Sequence, residues 1–317
     1  MKLHTDKYAF LNIINLIYEA SGIRQDILEK DYYVTLLLQE LSEKQKEIPA
    51  YFKGGTALYK AQRSIRRFSE DIDLTVCIDN CNNSQAKKRL ELATKKYLSL
   101  QRTTRKELED DRKGSITAVY DYIPVTAIDT KDPLQRFGYV KIEGTSFTVS
   151  EPFSMLEIEP ILYTYATDEQ RDILREQFEV VPFDIQTIKL ERIFADKIFA
   201  AEFYYERKMY FDVAKHIYDV SVMLDMPQIQ DMVKDSSMFL KMLGYKRMEE
   251  TRRIGSSLAD KKYADFTIFD GLEDSYDLQN AYQDMQKNYI FTKEDILSFE
   301  YVGNQWTKLE KILRELD

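Results

Sequence analysis

The residues with the most chemical promise lie between positions 52 and 74. Phe52-Lys53-Gly54-Gly55-Thr56-Ala57-Leu58 is followed by Arg67-Phe68-Ser69-Glu70-Asp71-Ile72-Asp73-Leu74. Two glycines before a helix start lack Cβ atoms, so their backbone can approach an anion closely. Free N–H groups and the helix dipole at that N-terminus favour negative charge, and Thr56 adds a hydroxyl donor. Sixteen residues after Gly55 comes Asp71, with Asp73 two further on. On a strand, that spacing puts both carboxylates on one face and turns Ile72 and Leu74 to the core. Paired carboxylates repel unless a cation lies between them. Such hard oxygen ligands suit Mg²⁺, which keeps phosphates and waters as its other ligands. A phosphate cradle facing an Asp-x-Asp pair points to phosphoryl or nucleotidyl transfer with two metal ions. Each part alone also reads as a turn or a solvated strand face; the order and spacing together carry the functional reading.

These residues need elements to position them. Apolar spacing predicts helices over 5–19, through Tyr8, Leu11, Ile14 and Tyr18, and over 24–45. Tyr51-Phe52 leads into the glycines, and residues 56–61 look helical. Residues 71–78 alternate with period two, as a strand does. Residues 84–112 are charged and helix-permissive, and 115–125, 137–149 and 154–163 are strand candidates. A polar helix over 168–177 and the connector Val180-Val181-Pro182 follow. From about 186 onward nearly everything has helical periodicity, punctuated at Gly244, Gly255, Gly271 and Gly303. The expectation is an α+β protein: a mixed β-sheet core with N-terminal helices over 1–185, then a largely helical half over 186–317 that completes the site.

Composition narrows the class. At 317 residues with 44% hydrophobic side chains, the chain can bury a core, which excludes intrinsic disorder. No apolar run approaches the ~18 residues needed to span a bilayer, and MKLHTDKYAF has no secretory h-region, so the expected compartment is the cytoplasm, with no membrane partner. Two cysteines make no disulfide framework. Cys77 and Cys81 lack the further ligands of a structural zinc, and Cys77 reads as a buried strand residue. A net charge of -9 argues against a non-specific nucleic-acid coat protein. It leaves room for a local basic face, and Lys60, Arg63, Arg66 and Arg67 flank the candidate site.

The central blocks resemble the nucleotidyltransferase AbiEii/AbiGii toxin family, which includes the MenT toxins and belongs to the polymerase-β-type nucleotidyltransferases. Glu29-Lys30-Asp31-Tyr32-Tyr33-Val34 is similar to the family's upstream Glu-Lys-Asp helix. Phe194-Ala195-Asp196-Lys197-Ile198-Phe199-Ala200 resembles its lysine helix. Lys215-His216-Ile217-Tyr218-Asp219 resembles its Arg-Asp-h-Tyr-Asp block, with Lys215-His216 where Arg-Asp is commonest. The likeness covers residues 27–225 and implies a nucleotidyltransferase-type sheet.

It also implies a site. Asp71 and Asp73 would bind Mg²⁺ (or Mn²⁺). A third carboxylate would come from a later strand: Glu157 first, from Met155-Leu156-Glu157-Ile158-Glu159, then Glu159, with Glu143 a weaker fit. Gly54, Gly55, Thr56 and Ser69 would hold the NTP phosphates. Lys197, with Arg67, would neutralise the triphosphate, although a lysine on a helix flank also reads as a snorkelling side chain. Asp219 would hold Lys197 or a substrate group. The implied activity is transfer of NMP from an NTP to an acceptor hydroxyl with release of pyrophosphate, in a toxin–antitoxin or phage-defence system. The implied acceptor is RNA, a tRNA 3′ end, and an antitoxin is the implied protein partner. The alternatives are nucleotidylation of a protein target and a catalytically silent NTP-binding subunit of a defence complex. His4 reads as inert, and His216 as either a phosphate contact or a half-buried helix residue. Phe199, Phe203, Tyr204, Tyr205, Tyr210 and Phe211 read as packing, with base stacking by one tyrosine as the functional alternative.

Overall fold

A computed structural model describes residues 1–127, 137–253, 255–272 and 275–317. It divides into two compact units. The first comprises Met1–Gln62, Phe68–Ser146 and Phe153–Thr187; the second comprises Arg63–Arg67, Phe147–Pro152 and Ile188–Asp317.

The first unit opens with helices α1 (Lys7–Ser21) and α2 (Gln25–Lys44). Asp6 caps α1 by accepting from the Tyr8 and Ala9 amides, and Gly22, at φ +70°, ends it. The buried face of α1 is Phe10, Ile13, Ile14 and Ile17. Tyr8 is 78% exposed, so the apolar face is rotated from the one expected through Tyr8 and Tyr18.

Next come β1 (Ala50–Lys53), α3 (Gly54–Lys60), β2 (Ile72–Val76) and α4 (Asn83–Thr94). An Asn82–Gln85 capping box starts α4. It stops at Thr94 rather than running on to 112, because β3 (Gln101–Arg102) and β4 (Asp110–Arg112) pair with β5 (Ser115–Asp121). The remaining elements are β6 (Tyr139–Thr145), β7 (Phe153–Ile158), α5 (Ile161–Thr164), α6 (Asp168–Phe178) and β8 (Phe183–Ile188). The strand expected over 154–163 ends at Ile158, where Pro160 caps α5. Strand β8 follows the expected connector at 180–182 and takes up the start of the stretch expected to be helical from about 186. Its alternation of buried Ile185 and Thr187 with exposed Asp184 is a strand signal, but six residues are easily absorbed into a neighbouring helix pattern.

The strand order is β3-β5-β6-β2-β1-β8-β7, with β4 also on β5. Pairs β1/β2 and β5/β6 are antiparallel, whereas β2/β6 and β1/β8 are parallel. Ile72, Leu74, Phe52 and Ile142 are fully buried on one face of this mixed sheet.

The second unit is helical: α7 (Leu190–Tyr205), α8 (Tyr210–Leu224), α9 (Pro227–Lys234), α10 (Ser236–Glu250), α11 (Thr267–Gly271), α12 (Tyr276–Tyr289) and α13 (Phe299–Arg314). Gly255 and Gly271 punctuate as expected, but Gly244 and Gly303 lie inside α10 and α13. Several buried charges in this unit are paired: Arg192 bonds Asp196 and Glu249, while Lys246 bridges Glu249 and Glu250. Buried charge is tolerable only with such pairing.

Candidate active site

In the first unit the sheet brings three carboxylates together. Asp73 on β2 is in parallel register with Glu143 on β6, and Asp71 immediately precedes β2. Side chains in register on neighbouring strands share a face. Burial, then the charges of Asp73 and Asp71, push the Glu143 carboxyl up to about 8. Burial, then Glu70, push Asp71 up to about 6, against the pull of Lys30 and Lys141. Like-charged oxygens crowded on a half-buried face hold protons near neutrality when no cation shares them.

The glycine loop is shaped around Asp73. Gly54 adopts φ +79°, and a Cβ there would lie 2.0 Å from Asp73 Oδ2. Lys53 is in register with Asp73 across β1/β2, so the glycine and the carboxylate meet at the strand end. Thr56 is fully buried, and its hydroxyl donates to the Asp71 carbonyl. It therefore fixes the carboxylate loop to α3, and its proton is not turned toward a phosphate. Gly55 is buried in the first turn of α3, and Ser69 is half-buried in the loop before β2.

The expected third carboxylate differs in position. Glu157 lies exposed on the edge strand β7, separated from β2 by β1 and β8. Glu159 accepts from the Thr164 hydroxyl at 2.9 Å. The structure joins Glu143 to Asp71 and Asp73 and leaves both of these apart. The period-two pattern in Val140-Lys141-Ile142-Glu143 carried the signal, but the parallel β2/β6 pairing that makes it count is a long-range contact. Lys53 and Lys141, which flank the carboxylates, were not singled out by sequence reasoning.

The Glu29-Lys30-Asp31 block is entirely buried. Glu29 accepts from the Val125 and Thr126 amides and the Thr126 hydroxyl. Lys30 donates to the carbonyl of Tyr139, the first residue of β6. Asp31 accepts from Tyr59 (2.8 Å), Lys60 (2.6 Å) and the Ile161 amide (2.7 Å). Thus Lys60, though basic and close in sequence to the candidate site, is an interior partner of Asp31.

The second unit contains another constellation. Asp219 on α8 takes a forked pair from Arg67, Nε–Oδ1 2.6 Å and Nη2–Oδ2 2.7 Å, and a third contact from Lys197 on α7 at 2.9 Å. All three side chains are buried. Burial works to raise the Asp219 pKa, but Arg67 and Lys197 outweigh it and hold the carboxyl below its ordinary range. Lys197 does not snorkel; its ammonium is fixed by Asp219, as is the Arg67 guanidinium. His216 stacks on Tyr204, with ring centroids 5.4 Å apart and planes 13° apart, and its Nδ1 is buried without a hydrogen bond. Arg207 and Arg253 both lie over the Phe203 ring.

The remaining candidates are plain. His4 Nδ1 is 3.0 Å from the Tyr32 hydroxyl. Cys77 and Cys81 are free and half-buried, so Cys77 is less enclosed than expected. Among the described residues, no group of three or more His, Cys, Asp or Glu forms a ready-made metal cage, and no helix is long and apolar enough to cross a membrane.

Residues 36–311 match the family described as nucleotidyl transferase AbiEii toxin, type IV TA system. A search of the curated proteins returns no match. Among solved structures, MenT4, a nucleotidyltransferase toxin from Mycobacterium tuberculosis, aligns with 96% of this chain and 98% of its own, at 14% identity and a TM-score of 0.48.

Proposed function

The chain belongs to the AbiEii family of nucleotidyltransferase toxins of type IV toxin–antitoxin systems, and from that premise we propose that it transfers NMP from an NTP to an RNA hydroxyl, a tRNA 3′ end, and releases pyrophosphate. The enzyme class, the NTP substrate and an antitoxin counterpart follow from membership. The acceptor, the metal and the residue roles are our reading.

The observation that carries this reading is the Asp73–Glu143 register beside a glycine that must be glycine. Asp71, Asp73 and Glu143 supply hard oxygen donors on one sheet face, and their mutual repulsion is what a divalent cation relieves. The donor set therefore fits Mg²⁺ or Mn²⁺. A bound ion of this kind would act as a Lewis acid toward the phosphate oxygens.

The chain's own groups do the rest. Gly54 and Gly55 offer backbone that lets the phosphates approach, and Ser69 adds a hydroxyl. We assign the charge that neutralises the triphosphate to Lys197 and Arg67, the two cations that share Asp219. The acceptor oxygen forms a bond to the α-phosphorus, and the bond from that phosphorus to the bridging oxygen breaks. Pyrophosphate leaves with that electron pair, and the hydroxyl proton passes to Glu143. Such catalysis is mostly positioning and charge stabilisation.

The test uses purified protein, Mg²⁺, each α-phosphate-labelled NTP in turn and total host tRNA. Asp71→Ala/Asp73→Ala is the control. Label on tRNA with the intact protein alone is the expected result. Label on a protein instead, or bound NTP with no transfer, overturns the RNA reading.

A further inference from the structure

His216 lies on α8 one turn before Asp219, so the two side chains share a side of the helix. The imidazole is half-buried and stacks on Tyr204 of α7, with ring centroids 5.4 Å apart. Tyr204 in turn meets Phe203 edge-on, and the Arg253 guanidinium sits 3.6 Å from the Phe203 centroid. The plane of the imidazole is therefore fixed by packing, next to the Arg67–Asp219–Lys197 fork. All of these residues belong to the second unit.

The ring has two defects. Its Nδ1 is enclosed without a hydrogen bond, and an unpaired buried polar atom is costly. Burial, then Lys197, Lys215, Arg67 and Arg253, also keep the ring uncharged. The carboxylates around it are already engaged. Asp219 holds Arg67 and Lys197, and Asp212 holds Lys215 at 2.8 Å. Glu250 holds Lys246 at 2.7 Å and faces Arg253 at 3.6 Å. One class of ligand answers both defects. A small, multiply charged oxyanion gives the imidazole an acceptor and gives the cations a counter-charge. With Lys197 and Arg67 assigned to the triphosphate, that oxyanion is the part of the NTP that departs.

We propose that His216 is a phosphate-binding residue: it takes a proton from solvent as the pyrophosphate moiety docks on Lys197 and Arg67, and it donates a hydrogen bond to that moiety. Binding and proton uptake are then linked, so affinity tightens as pH falls, by up to about tenfold per unit. This rests on the nucleotidyl-transfer reading above, whose own readout is separate.

The probe is inorganic pyrophosphate, added to the full chain without Mg²⁺ or RNA. The chain has two histidines, His4 and His216, so one variant, His4→Gln, assigns the imidazole NMR signals. Pyrophosphate should raise the titration midpoint of His216 and leave that of His4 in place. Affinity is then measured by equilibrium dialysis from pH 8 to pH 6, for wild type and for His216→Phe, which keeps a stacking ring. Pyrophosphate itself titrates in this range, so the quantity read is the ratio of the two affinities. That ratio should widen about tenfold or more toward pH 6. His216→Asn, neutral at every pH, should fall behind wild type in the same way, and it supplies the comparison should His216→Phe fail to fold. A His216 midpoint that pyrophosphate does not move overturns the proposal, as does a ratio that is constant with pH. A midpoint that rises in a protein that transfers no label would sink the transfer reading and leave the phosphate site standing.

Discussion

Gly54 and Asp73 claim the same space: the Asp73 carboxylate oxygen lies 2.0 Å from where a Gly54 Cβ would be. The first glycine is thus explained by the first strand carboxylate and not only by an anion. Gly54→Ala must either move Asp73 or shift the loop, and it forces an alanine into φ +79°. We expect a stability loss of about 1–3 kcal/mol from backbone strain and loss of transfer. Gly22→Ala is the matched control, because Gly22 has φ +70° but nothing within 4 Å of a Cβ. It should cost about 1 kcal/mol and leave transfer intact. Thermal melts and label transfer read both; a fully active Gly54→Ala would refute the account.

A second prediction separates the glutamates. Glu143→Gln should abolish transfer, whereas Glu157→Gln should leave it unchanged. Without metal the sign for stability is the reverse of the sign for activity. The folded Glu143 carboxyl is raised from 4.5 to about 8, so the folded chain holds a proton that the unfolded chain has released. The stability this proton gives is present at low pH and is lost as pH rises from about 4.5 through 8. Glu143→Gln should therefore melt higher than wild type near pH 8, and the gap should narrow toward pH 5. A gap that is constant with pH would show that Glu143 does not titrate in this range.

The same pair shows how much was legible in the sequence. Gly54-Gly55 and Asp71-x-Asp73 lie within one local stretch, so type and spacing sufficed to expect a strand, a turn and a helix there. Glu143 was a third choice, because its standing depends on β6 lying parallel against β2, a pairing no local pattern encodes. Alternation in Met155–Glu159 is stronger to the eye, yet β7 sits at the sheet edge. Thr56 and Lys60 were legible as polar groups beside the site, but their partners, the Asp71 carbonyl and Asp31, are set by tertiary packing. Likewise, a charged stretch over 84–112 permits helix, and only pairing with β5 turns its second half into strands.

The Asp219 fork yields a third prediction. Asp219→Asn removes the carboxylate that two buried cations share. Breaking a buried pair this way costs about 3–5 kcal/mol. Arg67→Lys keeps the charge but loses the planar fork, and should cost about 1–2 kcal/mol. Because the folded Asp219 pKa is depressed, its contribution is present above the unfolded value near 3.8 and is lost as pH falls below it. Urea melts at neutral pH rank the variants; equal losses for the two would show that the fork contributes no more than charge.

His216 gives the last prediction, with a slope of its own. Burial, then Lys197, Lys215, Arg67 and Arg253, hold the imidazole well below its ordinary 6.5. The folded ring stays neutral while the unfolded one takes a proton, so stability falls as pH drops below 6.5. The loss approaches about 1.4 kcal/mol for each further pH unit. His216→Phe keeps a ring to stack on Tyr204 and removes the titration and the unpartnered Nδ1. The difference between wild type and variant, taken from melts between pH 7 and 5, isolates this term from the opposite slope of the carboxylates. We expect the variant to gain on wild type as the solution is acidified. A flat difference would mean that the ring finds a proton acceptor in the folded chain, and that the cations around it do not control its charge.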